Sequence, residues 1–137
     1  PPVDSLTLTV PARTVVGSGT RGLPTDAHDV EGTDYDFRRP RRLGATQLDN
    51  TFTDLEPSDD GRTRVQLRDD ESGVEVTVWA NEAYSHLQLF TGDPLPDVSR
   101  RSLAVEPMTC PPNAFRTGEG VVRLEPGGSW TGAWGIA

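Results

Sequence analysis

The sequence contains no lysine, only one cysteine and no long apolar run, and each absence narrows what the protein can be. All 13 basic residues are arginines, set against 21 acidic residues, and the net charge is −8. An acidic chain repels phosphate backbones, which argues against nucleic acid as a partner. The single cysteine, Cys110, cannot form an internal disulfide. Its isolation favours a reducing compartment.

Membrane association is also not expected. No apolar run approaches the ~18 residues that a membrane-spanning helix needs. We identify no signal peptide at the start of the chain. These features together lead us to expect a cytoplasmic protein.

Short segments in which polar and apolar residues alternate dominate the 137-residue chain. In SLTLTV (5–10), Leu6, Leu8 and Val10 fall on one face, as in a half-buried strand. The DDESG turn (69–73) separates two such segments and predicts a hairpin. The predicted strands are residues 5–10, 62–68, 73–81, 86–92, 102–108, 120–126 and 129–136.

No helical pattern competes with these strands. No window of 11 residues or more has a period of 3.6, and the 14 glycines and 12 prolines would interrupt long helices. The sequence therefore predicts an all-β protein, an antiparallel β-sandwich, with residues 1–137 forming a single domain.

Two regions stand apart from the strand pattern. Residues 17–47 are polar and weakly patterned, which predicts a long loop, and loops of that length are often functional. The basic cluster RRPRR (38–42) inside it has acidic neighbours and is typical of a solvated loop. Trp130 and Trp134, four residues apart in a predicted strand, share a face, which favours a core or interface role over sugar stacking.

Glu106 is the first candidate for chemistry. It follows the apolar LAV segment (103–105), and Pro107 follows it directly. Strand alternation places Glu106 opposite Leu103 and Val105, and proline removes one backbone donor and restricts the local backbone. A carboxylate with a fixed direction suits a general base, which must reach the proton that it takes. The alternative is a carboxylate on a solvated rim.

Asp49 and Gln88 are further candidates. Asp49 lies between apolar Leu48 and Phe52, and the alternative to a binding role is an Asx turn. Gln88 lies between Leu87 and Leu89, where a polar residue can simply face solvent. Neither His28 nor His86 has a spaced His or Cys partner, so the sequence predicts no metal site.

Several motifs together resemble one known family. VEPMTCPPNAF (105–115), followed by LEPGGSWTGAWGI (124–136), is similar to the C-terminal end of the aldose 1-epimerase (galactose mutarotase) family. LDNTF (48–52) and LQLFTGD (87–93) resemble two earlier segments of the same family, in the same order. Phe90 stands where many members have tyrosine, and Asp93 where many have asparagine.

The resemblance implies a cofactor-free interconversion of the α and β anomers of galactose- or glucose-type aldoses. In this family a glutamate takes the proton from the C1 hydroxyl, and a histidine protonates the ring oxygen. By position, Glu106 matches the base, while Asp49 and Gln88 match residues that bind the sugar. The acid histidine belongs to the N-terminal half of the family's domain.

The resemblance therefore implies that residues 1–137 are the C-terminal part of a galactose-mutarotase-like supersandwich. The expected partners are an aldose and either the N-terminal half of the enzyme or a second copy of this chain. A non-catalytic sugar-binding module of the same fold, or a purely structural sandwich, remains open as an alternative.

Overall fold

The computed structural model describes residues 2–137, whose regular secondary structure is nearly all β. Only one helical turn, α1 (Ala114–Thr117), and two short 3-10 turns (Val3–Ser5 and Thr20–Gly22) interrupt it. The strands are β1 (Thr7–Thr9), β2 (Ala12–Ser18), β3 (Pro24–Asp29), β4 (Arg41–Arg42), β5 (Asp49–Leu55), β6 (Thr63–Arg68), β7 (Glu75–Ala80), β8 (His86–Phe90), β9 (Ala104–Met108) and β10 (Trp134–Ile136).

These strands form two five-stranded antiparallel sheets. The first sheet has the order β10-β7-β6-β1-β4, and the second has the order β3-β2-β5-β8-β9. The predicted all-β antiparallel sandwich is confirmed. So is the hairpin at residues 69–73, because Arg68 pairs with Glu75 across it.

The core lies between the facing sides of the two sheets. Leu8 and Val65 of the first sheet are at most 2% exposed, and so are Phe52 and Leu87 of the second. Burying each such side chain contributes about 1.5–3 kcal/mol. Because strand side chains alternate, the residues between these core positions face outward. The outward face of the second sheet carries the candidate site.

Three details of the predicted pattern are wrong. Residues 17–47 are not one long loop, because β3 pairs with β2 and β4 pairs with β1. Residues 120–126 form no strand, and apolar Val122 and Leu124 there are exposed. Trp130 lies outside β10, so Trp130 and Trp134 do not share a strand.

The β2–β3 connection shapes one border of the candidate site. Gly17 lies at a register shift between Val16 and Ser18, and a Cβ at Gly17 would lie 2.2 Å from Oγ1 of Thr25. The hairpin can therefore close tightly only because residue 17 has no side chain.

No helix among residues 2–137 has the length and apolar character required to cross a bilayer.

Candidate functional site

Three neighbouring strands bring the predicted site residues onto one face of the second sheet. Gln88 of β8 pairs directly with Glu106 of β9, and on its other side with Thr51 of β5. Asp49 lies two residues before Thr51 on β5, so it points to the same face. Asp49, Gln88 and Glu106 thus meet although 57 residues separate the first from the last.

A chain of hydrogen bonds fixes the amide of Gln88. Thr51 Oγ1 donates to Gln88 Oε1 at 2.7 Å, and Gln88 Nε2 donates to Asp49 Oδ1 at 2.9 Å. Thr51 is 4% exposed, which makes it a buried anchor for this chain. Oδ2 of Asp49 has no hydrogen-bond partner within residues 2–137, so it can accept one from a ligand.

Glu106 lies beside this chain on the edge strand β9. Its side chain is exposed and forms no ion pair with any residue in the described part of the chain. Val105 packs against the core from the other face of β9, as alternation requires. Pro107 pairs with Leu87 on that inner side. The proline therefore lies on the core side of the strand, while the carboxylate points outward.

Two cavities are lined by Asp49, and Glu106 lines neither of them. One, of about 40 Å³, lies between Gln88, Asp49, Pro112 and the β2–β3 hairpin. The other, of about 360 Å³, is an open depression between Asp49, Phe90 and Tyr35. Phe90 pairs with Asp49 in the register, so an aromatic ring and a carboxylate lie side by side. This combination suits a sugar, which presents both C–H faces and hydroxyl groups.

A larger cavity, of about 740 Å³, lies elsewhere and contains none of the predicted site residues. Its lining includes Glu31, Asp36, Arg38 and Arg41. Arg38 and Asp36 pair at 2.8 Å. Because its arginines and carboxylates largely pair with one another, we assign it no chemistry.

Arg100 joins three chain segments next to the site. It was not identified as a site residue from the sequence. Its side chain is 16% exposed and pairs with Asp93 at 2.8 Å and with Asp4 at 2.6 Å. Its guanidinium also donates to the backbone carbonyls of Gly44 and Thr46, at 2.7 Å and 3.2 Å. One cation thus joins the N-terminal segment, the loop before β5 and the loop after β8.

Thr91 connects this cluster to the start of β5. The Thr91 hydroxyl contacts Asp93, and it accepts a hydrogen bond from the backbone N–H of Leu48 at 2.9 Å. Burial alone would raise the pKa of Asp93, but the hydrogen bonds from Thr91 and Arg100 outweigh it and lower that pKa. The network holds the residue immediately before Asp49 in place.

His86 lies two residues before Gln88 on β8 and so shares its outward face, as the predicted strand implies. It pairs with Met108 across β9, and its side chain is buried. Ser85 Oγ lies 2.8 Å from Nδ1. Burial lowers the pKa of His86, although Glu119 and Asp54 act in the opposite direction. The imidazole is therefore neutral near pH 7.

His28 and Cys110, for which the sequence predicted no chemistry, take no part in these contacts. His28 is exposed on β3, which is the edge strand farthest from β9. Cys110 is a free thiol of intermediate exposure. Among residues 2–137 no three His, Cys, Asp or Glu side chains are grouped closely enough to hold a metal ion.

The fold agrees with a comparison against known families. The sequence profile of the aldose 1-epimerase family matches residues 2–136. The chain belongs to the aldose 1-epimerase family. The strands that carry Asp49, Gln88 and Glu106 all lie within the matched region.

Two relatives show how much of the family's length this chain represents. The uncharacterized protein YihR of Escherichia coli (strain K12) is 30% identical over 125 residues, which cover 91% of this chain and 38% of YihR. The crystal structure of a "putative aldose 1-epimerase" from Escherichia coli K12 superposes with a TM-score of 0.75 at 14% identity. It covers 99% of this chain, and this chain covers 47% of it. The chain spans less than half the length of either relative.

Proposed function

We propose that this chain carries the base and part of the sugar-binding surface of an aldose 1-epimerase, and that residues 1–137 form the C-terminal half of that enzyme's domain. The supporting observation is the Glu106 carboxylate, which forms no ion pair within residues 2–137 and stands opposite Gln88, a member of the Gln88–Asp49 hydrogen-bond chain. In a member of this family, that arrangement suits a sugar whose C1 hydroxyl meets Glu106.

The reaction needs no cofactor, and the sugar receives one proton for each proton that it gives up. Glu106 takes the proton of the C1 hydroxyl, C1 becomes a carbonyl carbon, and its bond to the ring oxygen breaks. An acid gives a proton to the departing ring oxygen. Rotation about the C1–C2 bond exposes the other face of the carbonyl. Reversal of both proton transfers closes the ring as the other anomer.

Asp49 and Gln88 would hold the sugar while the ring opens. The free carboxylate oxygen of Asp49 can accept a charge-assisted hydrogen bond from a sugar hydroxyl. The amide of Gln88 is already oriented by Thr51 and Asp49, so binding does not have to order it. Preorganisation of this kind places the C1 hydroxyl within reach of the base.

The general acid would come from outside these 137 residues. His28 lies at the opposite edge of the sheet, and His86 is buried with a lowered pKa that leaves it without a proton to give at pH 7. The family relatives are more than twice as long as the part that matches this chain. We therefore assign the acid, a histidine by family resemblance, to the N-terminal half.

Polarimetry on freshly dissolved α-galactose or α-glucose tests the proposal. The assay uses the complete gene product that carries these residues, with Glu106→Gln, which keeps shape and removes the base. We expect turnover to fall by about 10²–10⁴-fold. Glu71→Gln, in the exposed β6–β7 turn, is the matched control and should leave turnover unchanged. Near-normal turnover in the Glu106 variant would remove Glu106 from the role of base.

A non-catalytic sugar-binding module is the second candidate. It is favoured by the Thr51–Gln88–Asp49 hydrogen-bond chain, which can bind sugar hydroxyls without any proton transfer. In that case the complete gene product would bind aldoses through Asp49 and Gln88 but would not accelerate mutarotation. Parallel binding and polarimetric measurements on the same sample separate the two functions.

A further inference from the structure

The depression of about 360 Å³ beside Asp49 is lined by several polar side chains that are free to bind a ligand. Besides Oδ2 of Asp49, these are the hydroxyl groups of Tyr35 and Ser18 and the amide of Gln47, none of which bonds to another side chain or backbone group within residues 2–137. In the larger cavity, by contrast, arginines and carboxylates pair with one another. A few polar groups around a cavity are what fixes the orientation of a small ligand.

Tyr35 is held in a fixed place within this lining. Its side chain is partly buried and packs against the core. The Thr33 hydroxyl accepts a hydrogen bond from the backbone N–H of Tyr35 at 3.1 Å, and the Tyr35 carbonyl accepts one from the N–H of Phe37 at 3.1 Å. Phe37 is itself 1% exposed. A packed ring on an ordered backbone loses little conformational freedom when its hydroxyl binds a ligand.

Phe90 adds an apolar surface to the same depression. Among residues 2–137 no arginine lines it, and its two carboxylates belong to Asp49 and to Asp93, which is paired with Arg100. Two aromatic rings, free hydroxyls and no free cation suit an uncharged group that carries both C–H and O–H bonds. A phosphate or carboxylate group would be repelled by Asp49.

The depression lies at one end of the strands that form the candidate site. Its lining includes residues 47–48, just before β5, and residues 93–94, just after β8. Glu106 instead pairs with Gln88, in the middle of β8. With strands about 4.8 Å apart and a rise of about 3.4 Å per residue, the backbones of Glu106 and Asp49 are about 12 Å apart. One sugar ring therefore fits between the two carboxylates, and the depression lies on the far side of Asp49.

We propose that Tyr35 is a specificity-determining residue that binds the hydroxymethyl group of an aldohexose, namely C6 and its hydroxyl. C6 is the only carbon of a hexopyranose outside the ring, so it can project past Asp49 when the C1 hydroxyl meets Glu106. The Tyr35 hydroxyl bonds to the C6 hydroxyl, and the rings of Tyr35 and Phe90 contact the CH₂ group. An aldopentose lacks this group and binds less tightly. The inference rests on the proposed function, because it uses the sugar orientation given there.

Calorimetric titration of the complete gene product with matched sugars tests the inference. Glucose and xylose differ only in the hydroxymethyl group at C5, and galactose and L-arabinose form a second pair of the same kind. The wild type should bind each hexose about 10-fold more tightly than its matched pentose. Tyr35→Phe removes the hydroxyl alone and should reduce this preference by about 3- to 10-fold. Tyr35→Ala also removes the ring and should bring the two affinities together.

Pentose binding by each variant is the internal control, because it should be nearly unchanged and so shows that the site is folded. Tyr84→Phe is the matched control, since Tyr84 is the only other tyrosine and lines a different cavity, to which Asp49 does not contribute. It should keep the wild-type preference. Equal affinities of the wild type for hexose and pentose would overturn the inference, as would a hexose preference that survives in Tyr35→Ala.

Polarimetry on the same samples separates this inference from the proposed function. Turnover of both sugars without a preference that depends on Tyr35 would leave the role of Glu106 standing and overturn the role of Tyr35. A preference that depends on Tyr35 without any turnover would support the role of Tyr35 and remove the catalytic claim. Absence of binding to all four sugars would overturn both.

Discussion

Arg100→Ala should strongly destabilise the chain, although Arg100 lies in the loop after β8 and not in a strand. The substitution leaves Asp93, whose side chain is 17% exposed, without its cation, and it removes the donors to the carbonyls of Gly44 and Thr46. Breaking a buried ion pair by removing one partner costs about 3–5 kcal/mol. Asp4 is 49% exposed and its pair with Arg100 is screened by solvent, so we take the lower end, about 3 kcal/mol.

For a chain of this size, about 3 kcal/mol lowers Tm by about 10 °C. Thermal unfolding followed by circular dichroism at pH 7 measures the change. Arg101→Ala is the control, since the neighbouring Arg101 is exposed and forms no ion pair within residues 2–137. Its effect should stay within about 0.5 kcal/mol. Equal shifts for the two variants would refute the reasoning that the Arg100 cluster holds the loops together.

The same experiment at lower pH tests how much of the Arg100→Ala effect comes from the ion pair with Asp93. The folded pKa of Asp93 is lowered, so its ion pair stabilises the fold above the ordinary value of 3.8 and stops doing so as pH falls through the folded pKa. The difference in Tm between wild-type and Arg100→Ala should therefore narrow between pH 5 and about pH 2. A difference that stays constant over this range would show that packing, and not charge, explains the effect.

The remaining predictions concern the site face. Asp49→Asn should raise KM more than it lowers kcat in the polarimetric assay of the complete gene product, because it removes a charge-assisted hydrogen bond; a change in kcat alone would contradict a binding role. The pKa of His86 is lowered in the folded protein. The stability that depends on a neutral His86 should therefore be fully present above about pH 6.5 and should decline as pH falls below it. His86→Leu should remove that part of the decline in Tm, and an unchanged pH profile would show that another group titrates.

Strand alternation identified the parts of the fold that bury one face. β6 and β8 place buried residues at alternate positions, and β6, β7, β8 and β9 were each predicted within a few residues. β3 (Pro24–Asp29) was missed because its side chains are mostly exposed and carry no apolar alternation. Its stability comes from backbone pairing with β2, which a sequence pattern does not record.

Residues 120–126 show the opposite error. Their apolar side chains resemble a strand, but the described chain provides no neighbouring strand for them, and Leu124 is 58% exposed. A strand needs a partner as well as a suitable sequence. The prediction failed because local pattern alone cannot say whether that partner is present.

The candidate site was predictable only in part. Asp49, Gln88 and Glu106 were chosen by family resemblance, and the strand register places them on one face. Thr51 and Arg100 were not chosen, because Thr51 acts through Gln88, 37 positions away, and three of the four contacts of the Arg100 side chain reach residues 54 or more positions away; only Asp93 is near it in sequence. Such contacts arise from the order of strands in the sheet, which the sequence pattern did not specify.

The measurement that tests the account most directly is a sugar titration of this chain followed by two-dimensional NMR. The central claim is that the outward face of β5, β8 and β9 binds an aldose next to Glu106. Addition of galactose or glucose should shift the amide signals of Thr51, Gln88 and Glu106, and galactitol, which has no ring, should shift them much less. Absent shifts, or shifts confined to the arginine-lined cavity around Arg38, would contradict the claim.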